Sequence, residues 1–296
     1  MKKTMRRLLL TVFALSLLFC APLTAHAAKN VKLPAIKVCQ DYAEAQQILK
    51  YVNKERKKRH LNALKMDKKL TKHAITRAAE LFVKIPFSSP HMRPNGQQNS
   101  GANGIIYENC FEASGSARSA KEVVEDWMDS PSHKKGILLP EAKSIGIAAV
   151  RTRGQYDSLR QHCVLEFGSS KAKSVVKSKA RKYYSIKISA PKKYRKKKYY
   201  SCSVSFVKFD NDNDFADDMF RAVVRYKSPE CYYDTIVDGT SFKWKSSNPA
   251  VASIAKDGTV TWKKNGKVKF TAVMKADKKI KLSVQYDFNA SPEYWK

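Results

Sequence analysis

The sequence of 296 residues is long enough for about two domains. It carries 57 Lys and Arg against 26 Asp and Glu, a formal net charge of +31. This charge favours anionic polymers and acidic surfaces as partners but says nothing about the fold. Beyond its N-terminal segment the sequence has no apolar stretch long enough to span a membrane, which excludes later transmembrane helices.

The N-terminal segment predicts export. Four basic residues precede an apolar run at residues 8–20, and the small residues of AHA at residues 25–27 suit signal peptidase. Cys20 would suit a lipoprotein, but the bulky Phe19 before it argues against lipid attachment. We expect a signal peptide at residues 1–27, and its removal takes four basic and no acidic residues from +31, leaving +27. The mature protein is then secreted and extracellular, or associated with the cell wall.

Five cysteines remain after this cleavage: Cys39, Cys110, Cys163, Cys202 and Cys231. An exported location favours disulfides, and the odd number leaves one thiol without an intrachain bridge. No two of these cysteines have the CxxC spacing, which argues against a cysteine-based zinc site. We expect one bridge between Cys202 and Cys231 and a second between two of the other three.

Two amphipathic helices are predicted at the start of the first domain. Apolar residues three and four apart indicate one helix within residues 42–59. Asp67 can cap a second helix, in which apolar residues recur every three or four positions as far as Leu81. The lysines and arginines between them, together with His60 and His73, are expected on solvated faces.

Strands and loops follow these helices. A stretch rich in Ser, Pro, Asn and Gly at residues 88–104 predicts a loop, and short apolar segments predict strands at residues 105–110, 144–152 and 162–167. Helices followed by strands that are interleaved with another helix indicate an α+β domain that ends near Gly168.

The strongest local signals lie at residues 119–147. Ser119 and Glu122 have the spacing of a capping box, which begins a helix. Pro131 ends that helix and begins a short second one, because proline fits the first helical turn but not the interior. His133 then lies in the first turn of the second helix. The spacing alone is typical of a structural histidine, and it is also compatible with a binding site.

Five motifs in order resemble the CAP superfamily, which includes cysteine-rich secretory proteins, antigen 5, plant pathogenesis-related proteins and many secreted bacterial proteins. The motifs in this sequence are VNKER at residues 52–56, SPHMRPNG at 89–96, YEN at 107–109, WMDSPSH at 127–133 and IGI at 145–147. The resemblance covers about residues 44–168. It implies a three-layer α-β-α sandwich with a central antiparallel sheet and a shallow cleft.

The same resemblance implies that His91, Glu108 and His133 converge in the cleft. Eukaryotic members carry a further Glu three residues after the tryptophan; that position here is Ser130, and Asp129 is the nearest carboxylate. Asp129 is therefore expected nearby as a fourth member of the site. The other departures from the family pattern are Tyr107 for Gly, Lys134 for Arg and Gly136 for Asn.

Two imidazoles and a carboxylate suggest a metal site. His91 and His133 could hold a divalent ion, zinc being the expected one, with water completing an open coordination shell. A helix N-terminus disfavours imidazolium, so we expect a neutral His133, the form that a metal requires. Glu108 would either ligate the ion or act as an orienting or proton-accepting group. The alternative is that the three residues only hydrogen-bond one another and brace the loop.

Residues 171–200 form a basic stretch with 13 Lys or Arg, no acid and five tyrosines. They are interpreted as a linker that merges into the first strand of the next domain. The stretch could also attach the protein to an anionic wall polymer or a membrane surface. Interleaved aromatic residues would suit single-stranded nucleic acid as well, but secretion argues against that partner.

The C-terminal part predicts β structure. Short alternating segments are broken by NP at residues 248–249 and DG at 257–258. Residues 240–285, with WKSSNPAVASI beginning at Trp244, resemble the group 2 bacterial immunoglobulin-like domains, which are all-β sandwiches used for adhesion or spacing. The predicted organisation is a signal peptide at 1–27, an extension at 28–43, a CAP domain at 44–170, a basic linker with a first strand at 171–200 and an Ig-like domain at 201–296.

These features predict a secreted CAP-domain protein that binds a lipid, a wall fragment or a divalent metal in its His/Glu-lined cleft. The basic stretch and the Ig-like domain would hold it at an anionic surface. One alternative is a metal-dependent hydrolase or protease with Glu108 as base, or with Ser132 beside His133 or Ser88 near His91. Adjacent residues on one turn rarely face each other, and no nucleophile elbow is present. The other alternative is a purely structural adhesin.

Overall fold

The computed structural model describes residues 30–84, 91–153, 159–191, 203–209, 219–225, 227–228, 231–233 and 237–288. The predicted signal peptide, the most basic part of the linker at residues 192–198, Ser88 and Cys202 lie outside them, and so does the predicted Cys202–Cys231 bridge. Within the described residues, no helix combines the length and the apolar character needed to cross a membrane.

Four α-helices lie in the described part of the first domain, with polar residues at their starts. They are α1 (Tyr42–Lys57), α2 (Lys68–Glu80), α3 (Ala120–Asp129) and α4 (Pro131–Ile137). The side chain of Asp67 accepts hydrogen bonds from the first turn of α2, as predicted. Ser119 and Glu122 form the predicted capping box of α3, and Pro131 occupies the first turn of α4. These residues start the helices where the sequence signals place them.

A five-stranded antiparallel sheet forms the middle layer of this domain. The first six strands of the chain are β1 (Asn30–Asp41), β2 (Val83–Lys84), β3 (Ile105–Gly115), β4 (Ser144–Arg153), β5 (Leu159–Gly168) and β6 (Arg181–Pro191). Five of them are ordered β3-β5-β4-β1-β6, and every neighbouring pair in this order is antiparallel.

Helices cover both faces of the sheet. The face that carries Ile147 and Leu165 packs against α1, α3 and α4, with Trp127 in the centre of this core. The opposite face packs against α2. Gly146 permits the close approach of α2, because a Cβ there would overlap the backbone of Leu70. The domain is therefore the expected three-layer α-β-α sandwich.

The sheet is wider than the boundaries predicted from sequence. Residues 30–41, expected to be an extension, form β1. Residues 181–191, expected to belong to a linker and the first strand of the next domain, form β6 beside β1 in the sheet of the first domain. The difference has a physical reason: Tyr184, Ile186 and Ile188 alternate with polar residues, so one side of this strand packs on the core. The many charged residues of this stretch made the alternation of apolar and polar residues hard to recognise in the sequence.

Apart from a short 3-10 helix at Gly239–Ser241, the regular structure described in the second half of the chain is β. Its strands are β7 (Ser203–Phe209), β8 (Met219–Arg225), β9 (Lys227–Ser228), β10 (Cys231–Tyr233), β11 (Phe242–Ser246), β12 (Ala252–Ile254), β13 (Thr259–Trp262), β14 (Lys267–Met274) and β15 (Lys281–Asp287). Sheets β11-β14-β15 and β12-β13-β8-β7 contribute to a core that contains Val260 and Phe270. These strands confirm the all-β prediction for this region.

The two domains share a hydrophobic core. Phe242 and Met274 of the C-terminal domain are buried in the same cluster as Ile36 and Phe82 of the first domain. Beside it, the Ala35 amide donates to the Ser241 hydroxyl, and the Asp238 amide donates to the Ala35 carbonyl. Strand β10 also pairs antiparallel with β2 and so joins the domains. The Ig-like region is thus packed against the α2 side of the sandwich.

The expected disulfide within the first domain is not formed. Cys110 and Cys163 both carry free thiols, so no two of Cys39, Cys110 and Cys163 are bridged. The sheet register gives the reason, since Cys163 lies opposite Phe111 and the thiols of Cys163 and Cys110 therefore point to opposite faces. Cys39 lies on β1, which β4 separates from β5. Strands so placed are about 9–10 Å apart, and a disulfide needs Cα atoms within about 7 Å.

Candidate functional site

The centre of the candidate site is the pair formed by His91 and Glu108. His91 lies in the loop before β3, and Glu108 lies on β3 with its carboxylate almost fully buried. His91 Nδ1 is 3.0 Å from Glu108 Oε1, while 43% of the His91 side chain is exposed. The pair therefore connects a buried charge with the solvent.

Two further side chains hold the Glu108 carboxylate from within the domain. Arg77 Nε, on the buried side of α2, is 3.2 Å from Glu108 Oε2. The side-chain amide of Asn99 also donates to Oε2. Burial acts to raise the pKa of Glu108, but the His91 hydrogen bond and the Arg77 charge outweigh it and lower the pKa below the usual value. Glu108 is thus held as a carboxylate.

A second histidine–carboxylate pair lies beside the first. His73 Nδ1 is 2.7 Å and 2.9 Å from the two oxygens of Glu166, whose side chain is completely buried on β5. Glu166 lies directly opposite Glu108 across β5 and β3. The Asn99 amide nitrogen contacts both carboxylates, at 2.9 Å from Glu166 Oε1. One asparagine therefore separates two buried acids that would otherwise repel each other.

The placement of His73 and Arg77 differs from the prediction. Both were expected on a solvated helix face, yet the Arg77 side chain is 1% exposed and that of His73 15% exposed. They lie one turn apart on α2, so they point the same way, onto the sheet. Their four-residue spacing was visible in the sequence. The acids that they meet were not, because those come from distant strands.

An ion pair fastens the loop that carries His91. Arg93 donates to both oxygens of Glu80 at the end of α2, at 2.7 Å and 2.8 Å. The Glu80 carboxylate raises the pKa of Arg93 and keeps the pair charged. The backbone N–H of Asn99 donates to the His91 carbonyl at 3.2 Å, which closes the loop on itself. The His91 imidazole is therefore positioned by the fold.

His133 reaches the same cavity from α4. Side chains of β3 hold the start of this helix: Asn109 donates to the His133 carbonyl at 2.8 Å, and the Tyr107 hydroxyl donates to the Ser132 carbonyl at 2.9 Å. Burial lowers the pKa of the His133 imidazole, and the nearby His91 lowers it further. The direction agrees with the expected neutral form of His133.

A cavity of about 420 Å³ joins these residues. It opens to solvent between the His91 loop, the start of β3 and the first turn of α4. Its lining is mostly polar and consists of His91, Gln98, Ser100, Ile106, Tyr107, Glu108, Ser132 and His133. Three of the four residues expected in the cleft therefore line one cavity. Asp129 is exposed at the end of α3 and is not among the lining residues.

The compact group of metal-ligating atoms differs from the expected pair of histidines. Among the described residues, the His, Cys, Asp and Glu atoms close enough to share one ion belong to His91, Glu108 and Cys110, all within 4.8 Å of one another. His133 is outside this group. The Cys110 thiol donates to Glu108 Oε1 at 3.0 Å. Sequence alternation places residues 108 and 110 on one face of β3, a signal that could have indicated Cys110.

The serine–histidine pairs of the hydrolase alternative gain no support from the geometry. The Ser132 hydroxyl lies 3.2 Å from the Ser130 hydroxyl, and no hydrogen bond between Ser132 and the His133 ring is present among the described residues. Ser88 lies outside the described residues. Both Glu108 oxygens already accept hydrogen bonds, which leaves this carboxylate poorly placed to take a proton from a substrate.

The family comparison agrees with this architecture. Residues 49–167 match the family described as CAP, the cysteine-rich secretory protein family. These residues are a CAP domain. Residues 232–284 match the bacterial Ig-like domain of group 2. A CAP domain followed by this Ig-like domain fits a secreted-type protein.

No curated protein matches the chain. Among solved structures, an outer surface protein from Borrelia burgdorferi is 22% identical, with a TM-score of 0.33. That similarity covers 48% of this chain and 100% of the other chain. The family assignment of the CAP domain therefore rests on the family match and on the observed sandwich.

Proposed function

We propose that this is an exported binding protein whose CAP domain takes up a small ligand in the cavity between His91 and His133. The observation that carries the proposal is the cavity itself, which is open to solvent and has a wall of hydrogen-bonding groups around the Glu108 carboxylate. Concave sites with a few converging polar groups are the usual form of ligand sites. The ligand is a lipid, a wall fragment or a divalent metal ion.

Binding without turnover fits the state of the polar groups. Glu108 is fixed by Arg77 and Asn99 on one oxygen and by His91 on the other, so its role is to orient the exposed imidazole. A neutral His133 across the cavity can donate or accept a hydrogen bond from a ligand. Two imidazoles that line the same cavity suit a ligand with a polar or anionic head.

Attachment to an anionic surface is the second part of the proposal. The net charge of +31 and the basic stretch at residues 171–200 support an anionic wall polymer or a membrane surface as the partner. The packed Ig-like domain would add contact area. In this arrangement the CAP cavity is kept close to the surface from which its ligand comes.

A zinc ion is one candidate ligand, because three neighbouring side chains carry atoms that can bind it. His91, Glu108 and Cys110 would hold it, since imidazole, carboxylate and thiolate are all zinc ligands. A bound ion would supply an open coordination position facing the cavity. His133 lies outside the compact group and would contact the cavity ligand instead.

The test compares binding with turnover. Purified mature protein is incubated with labelled wall fragments, a fluorescent fatty acid and a quenched peptide, and both affinity and product formation are measured. We expect one of the first two probes to bind without products and to bind more weakly in His91→Ala and His133→Ala. Asp129→Asn, outside the cavity, is the matched control. Product formation that is lost in Glu108→Gln would establish the hydrolase instead, and no binding of any probe would support the structural adhesin.

A further inference from the structure

The compact group of His91, Glu108 and Cys110 contains a thiol, which the pair of His91 and His133 lacks. We propose that Cys110 is a metal ligand, so that His91, Glu108 and Cys110 form a centre selective for thiophilic divalent ions such as zinc over magnesium and calcium. The inference deepens the proposed function, because the ion would lie at the floor of the same ligand cavity. It adds a thiolate ligand to a cleft expected to use histidines.

The hydrogen bonds of Glu108 divide its two oxygens into different roles. Oε2 is held by Arg77 and Asn99, which are permanent donors and cannot be replaced by an ion. Oε1 is contacted at 3.0 Å by both His91 Nδ1 and the Cys110 thiol, and Arg77 Nε lies further away, at 3.4 Å. Imidazole and thiol are both groups that exchange a proton for a metal ion. The two closest partners of Oε1 are therefore both groups that can bind a metal ion.

The distances between these atoms suit one ion after small shifts. Tetrahedral zinc with N and O at about 2.1 Å and S at about 2.3 Å keeps its ligand atoms about 3.4–3.6 Å apart. Two of the separations here are 3.0 Å, and the three atoms all lie within 4.8 Å. Movements of roughly half an ångström to one ångström would bring them to the zinc geometry. Such movements are within reach of a His91 side chain on a loop.

The charges around the group tolerate a cation. Arg93 and Glu80 neutralise each other in a two-oxygen ion pair. The remaining formal charges are the carboxylates of Glu108 and Glu166 against the single guanidinium of Arg77, which leaves one negative charge when the imidazoles are neutral. Arg77 approaches Glu108 chiefly at Oε2, away from the closest thiol and imidazole contacts. A divalent ion at Oε1 would therefore meet excess negative charge.

The exposed His91 determines how an ion enters the site, and the Cys110 thiol determines which ions the site prefers. The His91 side chain is 43% exposed and lines the cavity, so an ion can enter from there, while Cys110 lies beneath it on β3. Three protein ligands leave a fourth position for water or for a ligand atom in the cavity. A thiolate favours zinc over the hard ions magnesium and calcium, which take oxygen ligands.

The experiment titrates metal-stripped, reduced full-length mature protein with zinc, magnesium and cobalt(II). We expect a single zinc site, no competing magnesium binding, and a cobalt complex with the near-ultraviolet charge-transfer absorption of a cobalt–thiolate bond. Cys110→Ser should lose that absorption and weaken zinc binding at least about tenfold. Cys163→Ala, which removes a buried thiol on the opposite face, is the control and should retain both. His91→Ala should weaken binding, whereas His133→Ala should not.

Core substitutions can disturb folding, so a second measurement uses the unaltered protein. Zinc should protect Cys110 from alkylation, as mapped by mass spectrometry, and magnesium should not. Zinc binding that is weakened by His91→Ala and His133→Ala but not by Cys110→Ser would overturn the inference while leaving a metal in the cleft. Absence of any zinc binding would overturn it as well, and the wall-fragment and fatty-acid assay would still decide the proposed binding function separately.

Discussion

The ring of Tyr107 packs directly against the bare backbone of Gly136. A Cβ at position 136 would lie 2.6 Å from Tyr107 Cδ1 and 2.6 Å from Asn109 Oδ1, closer than such atoms approach in proteins. These two residues are departures from the CAP motifs, which have Gly and Asn at the corresponding positions. The larger residue on β3 and the smaller one on α4 compensate for each other. Tyr107 also lines the cavity.

This relationship predicts a coupled effect on stability. Gly136→Asn restores the family residue but forces it into Tyr107, and we expect a loss of about 1–3 kcal/mol in the free energy of unfolding. Tyr107→Gly in the same chain should recover part of that loss, because Asn109 still crowds the site. Urea denaturation of the double-mutant cycle measures the coupling. Lys135→Asn, on the exposed side of α4, is the control; additive losses without coupling would contradict the packing.

Arg56 predicts a second stability effect. Its buried guanidinium donates to the carbonyls of Asn62, Ile137 and Leu139, at 2.9–3.0 Å, and so joins the end of α1 to the end of α4. Lysine cannot reach three carbonyls in this fork geometry. We therefore expect Arg56→Lys to lower the free energy of unfolding by about 2–4 kcal/mol, because buried carbonyls lose their donors.

Denaturant unfolding checks the Arg56 effect against Arg59→Lys. Arg59 is half-exposed and pairs with Glu55 on the helix surface, so this control should change stability by less than about 0.5 kcal/mol. Similar stabilities for the two variants would show that Arg56 does not connect the helices.

The sequence predicted the local features well and the distant pairings poorly. Ser119, Pro131 and Asp67 act within one turn of the chain, so their helix starts could be predicted from spacing alone. His91 and His133 were located by motifs, and they share a cavity. Glu166 could not be found in this way, because only the register of β3 against β5 places it opposite Glu108.

The same limit explains the role of α2. Its charged residues have the period of an amphipathic helix, and the usual interpretation places charges in solvent. Arg77 and Glu80 are instead buried, because each meets an opposite charge from another segment. A charged residue can be buried when it meets an opposite charge that is far away in the sequence. Tertiary structure determines which residues meet in this way, so no local pattern predicts them.

The lowered pKa of His133 predicts a dependence of stability on pH. Its pKa is below the ordinary 6.5 in the folded state because burial and His91 disfavour imidazolium. The unfolded chain then binds more protons than the folded chain below pH 6.5. The contribution of His133 to the free energy of unfolding should therefore be fully present above pH 6.5 and be lost as the pH drops from 6.5 through the lower folded-state pKa. Thermal unfolding between pH 7.5 and 5 measures this, and His133→Gln should flatten that part of the curve.

The control for the pH effect is His60→Asn. His60 is exposed, and asparagine tolerates its positive φ of 56°. This variant should keep the pH dependence of the wild-type protein. An unchanged curve in His133→Gln would show that other groups cause it.

Salt dependence tests whether the basic stretch attaches the protein to an anionic polymer. Charges that neutralise a polyanion release counterions, so log affinity should fall linearly with log salt concentration. Replacing four of them with Gln should flatten the slope by roughly 0.7–0.9 for each lost contact, as for nucleic-acid polyanions. The four residues are Lys193, Arg195, Lys196 and Lys197.

The matched control removes the same charge from exposed positions of the Ig-like sheet: Lys243, Lys245, Lys267 and Lys269. Binding to immobilised wall polymer is measured between 50 and about 300 mM salt, a range over which screening changes strongly. An equal slope in both variants would show that net charge and not this stretch drives attachment, because a localised contact must respond only to its own residues.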